Sequence, residues 1–344
     1  MAYTTIKKPS DYFNTKLYSG TGSSQNITGV GHQPDLTWIK SRSTTHEHKL
    51  IDAIRGVTKA LASDNTTAEF TDVQGLTAFG SDGFSIGTDS YYNTNGHNYA
   101  SWNWKANGAG VANTDGDIAS TVSVNTTSGF SIVSYTGNGS NAQTVGHGLG
   151  ATPKVIIVKP INYTDHWSVY HSALGNTKYL YLDGNGSVFT GASRWSDTSP
   201  TSSLFTIGTS SPATGGGYTY DYIAYCFADV KGFSKFGSYT GNGSTDGTFV
   251  YTGFKPAMVI LKNTSITGNW QIMDNRRNTY NAVDTLLKPN DTIADQTPSD
   301  AKDFLSNGFK LRNSAGEDNG SGNNFIYMAF AEQPLVGDNP ATAR

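Results

Sequence analysis

Apolar residues in this chain come in short bursts separated by polar, glycine-rich stretches. Three bursts follow a proline and end in a lysine: "DLTWIK" after Pro34, "KVIIVK" after Pro153 and "AMVILK" after Pro256. Such runs, rich in Val and Ile and bounded by turn residues, predict strands buried on both faces or nearly so. Proline fits at the mouth of a strand, where no ladder donor is needed. "WSVYH" (Trp167–His171) and "WQIMD" (Trp270–Asp274) alternate bulky and polar residues, which predicts strands with one wet face. Helical spacing is scarce. The best helix candidate is "SDAKDFLSNG", with Ser299 as N-cap and Gly308 as stop.

The bursts belong to a unit written three times. Counted from Pro34, Pro153 and Pro256, the sixth residue is Lys40, Lys159 and Lys262. The fourteenth is His48, Trp167 and Trp270, and the eighteenth is Asp52, His171 and Asp274. Each copy closes on a similar run, "YASWNW" (Tyr99–Trp104), "YIAYCF" (Tyr222–Phe227) and "FIYMAF" (Phe325–Phe330), after a Gly/Asn-rich loop. A further phrase, "YTGNGS", stands at Tyr135 and Tyr239, with "YSGTGS" at Tyr18. Its glycines and asparagine suit positive φ, so it reads as a turn copied with the module. The predicted fold is all-β: three tandem antiparallel β-sandwich modules of jelly-roll or lectin-like type. Their expected bounds are 1–108 with a short N-terminal docking segment, "KKPSDYFN"; 109–129 as linker and lead-in strand; 130–231; and 232–344 with a short C-terminal tail.

Composition narrows the function. Among 344 residues the net charge is −3 and only 15% are charged, with no basic patch, so a nucleic-acid partner is not expected. Aromatics at 12% and 39 glycines suit many strands and turns rather than disorder. Cys226 lies in an apolar run and reads as a small buried hydrophobe. Neither a membrane span nor a signal peptide is apparent, so folding in a reducing cytoplasm is expected.

Candidate chemistry is thin. The column Asp52, His171, Asp274 changes identity between copies and reads as satisfied polar strand positions rather than a catalytic set. Of the glutamates Glu47, Glu69, Glu317 and Glu332, none stands in an aromatic-rich cleft signature, which argues against glycan cleavage by a carboxylate pair. "HEH" (His46–His48) supplies two ligands, too few for zinc, and reads as a solvated loop. "LDGNGS" (Leu182–Ser187) reads as an ordinary turn rather than a calcium loop, and "GHGLG" (Gly146–Gly150) lacks the serine of a nucleophile elbow. No metal or cofactor is expected. The candidate binding residues are aromatics in the loops before each closing strand: Tyr91, Tyr92 and His97 in the first copy, Tyr218 and Tyr220 in the second. Tyrosine with asparagine suits sugar faces and hydroxyls, or a neighbouring subunit.

The motifs "KPSDYFNTKLYSGTGS", "DAIRGVTKAL", "GFSIVSYTGNGS", "YIAYCFADVKGFSKFGSYTGNGSTDGTFVYTGFKPAMVILK" and "NWQIMDNRRNTYN" resemble those of repeat-containing virion structural, tail fibre-like proteins of tailed bacteriophages, marine ones especially. The resemblance spans nearly the whole chain and implies a particle component rather than an enzyme. It sets three expectations: a tail fibre or host-facing appendage protein; a head or tail decoration or adaptor protein; and, from another class, a glycan depolymerase. Expected partners are other virion proteins, further copies of the chain in a homotrimer, and a host-surface glycan or protein.

Overall fold

The computed structural model describes residues 4–208, 214–297, 301–336 and 340–341. Over these the chain is all-β, with antiparallel sheets and one single-turn helix at Ser90–Asn93. Each third of the chain builds the same inner sheet. In the first, Phe13–Ser19, Asn98–Trp104, Leu36–Ser41 and Lys49–Asp52 lie side by side in that order. The second repeats it with Phe130–Thr136, Asp221–Phe227, Val155–Pro160 and Ser168–His171, and the third with Ser234–Thr240, Asn324–Pro334, Phe254–Asn263 and Gln271–Asp274. The closing strand therefore runs through the middle of every inner sheet. Beside each lies a smaller outer layer, for example Gln25–Thr28, Gly83–Ile86 and Leu76–Gly80 in the first module.

The proline-led strands are buried at every residue, as their unbroken apolar runs require. One face of each inner sheet packs on its own outer layer, giving each module a private core. The opposite faces of all three sheets meet in a single shared core. Its centre is marked by the last residues of the three closing runs. Trp104, Phe227 and Phe330 form a triangle with ring centroids 6.3, 5.6 and 5.8 Å apart, each pair edge-on. Equivalent residues meeting at one point place the modules around a pseudo-threefold axis, as a closed ring.

The same sequence columns make the junctions of that ring. Eight residues past each proline a carbonyl accepts from the preceding module's chain, or for the first module from the third. Ile161 O takes Glu69 N at 2.8 Å, Thr264 O takes Val188 N at 3.2 Å and Arg42 O takes Asp295 N at 3.1 Å. Trp167 Nε1 donates to Ala62 O at 2.7 Å and Trp270 Nε1 to Tyr181 O at 2.8 Å. His48, their counterpart, faces Lys288 and Asp291 of the third module. Ring closure is reinforced by Arg42–Asp295 at 2.6 Å and by Ser63 Oγ donating to Pro289 O at 2.7 Å.

Two expectations change. The strands Ser168–His171 and Gln271–Asp274 have no wet face; all their residues are buried, because one face, with Val169 and Ile272, lies in the shared core and the other, with Tyr170 and Met273, lies in the module's own core. In the proposed helix, Ser299 falls outside the described residues, and Lys302–Leu305 is a strand joined to Gly308–Leu311 by a two-residue turn. Its inward positions, Lys302 and Phe304, follow period two, with Lys302 bound to Asp318 at 2.6 Å. Within 109–129, read as linker and lead-in strand, Val111–Asn113 and Ser120–Asn125 extend the second module's sheet. In the N-terminal segment Ile6 and Pro9 are buried, Ile6 in the shared core, and Phe13 stacks on Phe330 at 5.0 Å, while Lys7 and Lys8 are exposed.

Candidate functional site

The eighteenth-residue column belongs to the junctions. Asp52 and Asp274 are fully buried, each held by an arginine three residues on: Arg55 Nε at 2.5 Å and Arg277 Nε at 2.6 Å. Each also accepts from the closing strand of another module, Asp52 from the Tyr225 hydroxyl at 2.9 Å and Asp274 from Trp102 Nε1 at 3.2 Å. His171 approaches Tyr327 O at 3.3 Å in the same place. Burial pushes the His171 imidazole down to about 4, so it is neutral there. These groups are structural ties with every acceptor occupied. The lysine column is equally committed: Lys159 donates to Thr66 O at 2.9 Å across one junction and Lys262 to Asn185 O at 3.3 Å across another. Lys40, Lys159 and Lys262 are all pushed down to about 8 by burial.

The loops that differ between modules share one rim of the ring. There the repeated glycine phrase turns each chain from its first inner strand toward the outer layer. Gly20, Gly137 and Gly241 lie so close to the loop before the closing strand that a Cβ would stand 2.2, 2.2 and 2.4 Å from a backbone oxygen. Each donates its N–H to that loop, to His97 O, Tyr220 O and Asn323 O at 2.8–2.9 Å. The copied phrase is thus a fixed corner that holds the variable loop. Asn93 and Asn319 brace it in the first and third modules with buried side-chain bonds, while Gly216 stands at the matching place in the second.

On this corner the candidate residues separate. Tyr92 is fully buried in the first module's core and offers no face to a ligand. Tyr91 is partly exposed and lies against His46, the rings tilted by 32° with centroids 4.6 Å apart. His97 is partly exposed beside it, with its Nδ1 buried and unbonded. In the second module Tyr218 and Tyr220 stack at 5.5 Å, and Tyr163 extends the stack at 4.3 Å with planes 7° apart. Part of that loop, residues 211–213, falls outside the described residues. Tyr163, which the sequence reading passed over, is 41% exposed. Ile266, equally exposed, lies against Gly316 at the third module's rim.

The first module adds a concave surface. A cleft of about 550 Å³ is lined by Glu47, Lys49, Phe70, Asp72, Asp89 and Tyr91 among others. Lys49 forms its floor: the ammonium stands 4.3 Å from the Phe70 ring centre and 4.1 Å from that of Tyr91, and binds Glu47 at 2.6 Å. Glu47 also accepts from Asn65 at 3.0 Å. Glu47 does therefore stand in an aromatic-lined cleft, contrary to the sequence reading, but both its oxygens are engaged. Asp72 is pushed up by burial and by Asp89, crowded on the same wall. The cleft draws on three separated stretches of chain, so no local motif announces it.

The remaining motifs are structural. His48 is no solvated loop residue: it is buried, its Nδ1 accepts from Trp38 Nε1 at 2.8 Å, and burial holds it neutral. Asp183 of "LDGNGS" receives Trp167 N at 2.8 Å and binds His166 at 2.6 Å. His147 of "GHGLG" is buried. Cys226 is buried and its thiol is pushed up to about 12. Among the described residues no group of three or more His, Cys, Asp or Glu converges as a metal site, and no helix is long and apolar enough to cross a membrane.

No curated protein matches the chain. Residues 8–334 match a single family across all three modules, and the chain belongs to that family, described as Domain of unknown function (DUF7483).

Proposed function

We propose that this chain is a non-enzymatic structural protein of a tailed-bacteriophage virion, acting as a tail fibre or other host-facing appendage component. The observation that carries the reading is one rim on which three equivalent corners hold three different surfaces: a polar cleft, a tyrosine stack and an aliphatic tip. A rigid scaffold with varied loops suits recognition of a host glycan or protein, and multiple copies on a particle multiply weak contacts. The motif resemblance supplies the virion setting. A threefold arrangement is already built within one chain; assembly into a homotrimer would bring three such rims together, and sedimentation velocity reads this out.

The experiment is mass spectrometry of purified particles followed by gold labelling of the chain on them. Label at the tail tip supports the proposal. Label on the head or tail tube replaces it with the decoration or adaptor reading, and absence from particles refutes both. New reducing ends released from host capsule or lipopolysaccharide by the purified chain would overturn the non-enzymatic part.

A further inference from the structure

We propose that the first-module cleft is a saccharide site that takes neutral or N-acetylated sugars and rejects anionic ones. This deepens the host-facing reading and rests on it for its biological role. The cleft is too large to be a packing defect: the void at the ring's centre, lined by Trp38, Trp104 and Tyr225 among others, measures about 20 Å³ against about 550 Å³ here. Small-molecule sites commonly span about 300–1,000 Å³.

Its floor is preorganised. The Lys49 side chain is 3% exposed and fixed between two rings and Glu47, so only one of its N–H bonds meets a strong acceptor. The others face aromatic surfaces and can be offered to a hydroxyl or an acetamide oxygen at the open side. Asp72 and Asp89 add carboxylate acceptors for sugar hydroxyls on one wall. Tyr91 and Phe70 provide apolar surface for the C–H face of a pyranose, and Val73, 64% exposed, continues it at the lip. Beneath Asp72 the buried Tyr92 hydroxyl is its hydrogen-bonding neighbour and helps fix that wall. Three carboxylates against one ammonium make the surface repel an anionic sugar.

The arrangement is specific to this module. Fifteen residues past the proline, where the first module has Lys49, the others have Ser168 and Gln271.

The test applies the labelled full-length chain to a microarray of neutral, N-acetylated, uronate-bearing and sialylated oligosaccharides, with affinities for the hits taken by titration. The proposal expects hits confined to neutral or N-acetylated glycans. Tyr91→Ala should weaken them about tenfold, and Tyr280→Ala, an 80% exposed tyrosine of the third module, should leave them unchanged. A thermal melt of each variant separates lost binding from lost fold, and Asp72→Asn provides a second variant that keeps the shape. Hits only on acidic glycans, no hits, or hits unaltered by both Tyr91→Ala and Asp72→Asn would overturn it. Particle association is scored separately, so failure of sugar binding and failure of the virion assignment are distinguishable.

Discussion

The bond from Trp102 Nε1 to Asp274 Oδ2 joins residues from the first and third modules, 172 positions apart, and makes ring closure measurable. Asp274 accepts from Arg276 N at 3.0 Å and Arg277 N at 2.9 Å on one oxygen, and from Arg277 Nε at 2.6 Å and Trp102 on the other. Asp274→Ala strips these and leaves a buried guanidinium. Breaking a buried pair costs about 3–5 kcal/mol. Arg277 keeps Asp295 at 3.0 Å and Ile272 O at 2.8 Å, which places the loss near the lower end. Trp102→Phe removes one hydrogen bond to a charged acceptor, about 1.5–3 kcal/mol. A double-mutant cycle of Trp102→Phe with Asp274→Asn, read by urea unfolding with far-UV circular dichroism, should therefore give a coupling of about 1 kcal/mol or more. Coupling below about 0.3 kcal/mol, the level of independent sites, would refute the packing of these modules against each other.

Other outcomes follow from the same packing. Lys40, Lys159 and Lys262 have folded-state values near 8 against an ordinary 10.5, so above pH 8 the unfolded chain binds more protons than the folded one. The urea midpoint should accordingly rise between pH 8 and 9.5, and Lys159→Met should flatten that slope; equal falls in both proteins would contradict it. His32 and His171 are lowered to about 4, so the stability they favour is present above about pH 6.5 and is lost as pH falls toward 4. Replacing His171 with Gln should reduce that acid sensitivity, as followed by thermal melts at pH 4.5 and 7. Gly137→Ala would place a methyl 2.2 Å from Tyr218 O and should cost about 1–3 kcal/mol in denaturant unfolding, whereas Gly268→Ala, whose nearest neighbour would be Glu317 Cγ at 3.6 Å, should cost about 1 kcal/mol or less.

Much of the fold could be read from internal repetition. The proline-led runs announced buried strands, and the copied phrase announced a corner. The ring could not, because its contacts are written at the same positions in every copy while each partner lies in a different copy. Ser168 and Gln271 stand between apolar neighbours as on a wet face; the missing fact was that this side, with Tyr170 and Met273, is covered by the module's own outer layer. In "SDAKDFLSNG" Gly308 reads as a helix stop, but Phe304 and Lys302 answer to the strand period and Lys302 to Asp318. The cleft needed residues near 47, 70 and 90 to meet, and only folding brings them together.

The most direct test of the closed ring is a disulfide across its seam. Arg42 and Asp295 share a backbone hydrogen bond of 3.1 Å and a side-chain pair at 2.6 Å, within reach of a disulfide's usual Cα spacing of about 4.4–6.8 Å. Cys226, buried with its thiol pushed up to about 12, should stay out of the exchange. With Arg42→Cys and Asp295→Cys in one chain, the ring predicts rapid intramolecular oxidation, seen by intact mass and non-reducing electrophoresis of the monomeric protein. Thiols that stay free, or that join only between chains, would show modules strung in a line and contradict the closed ring.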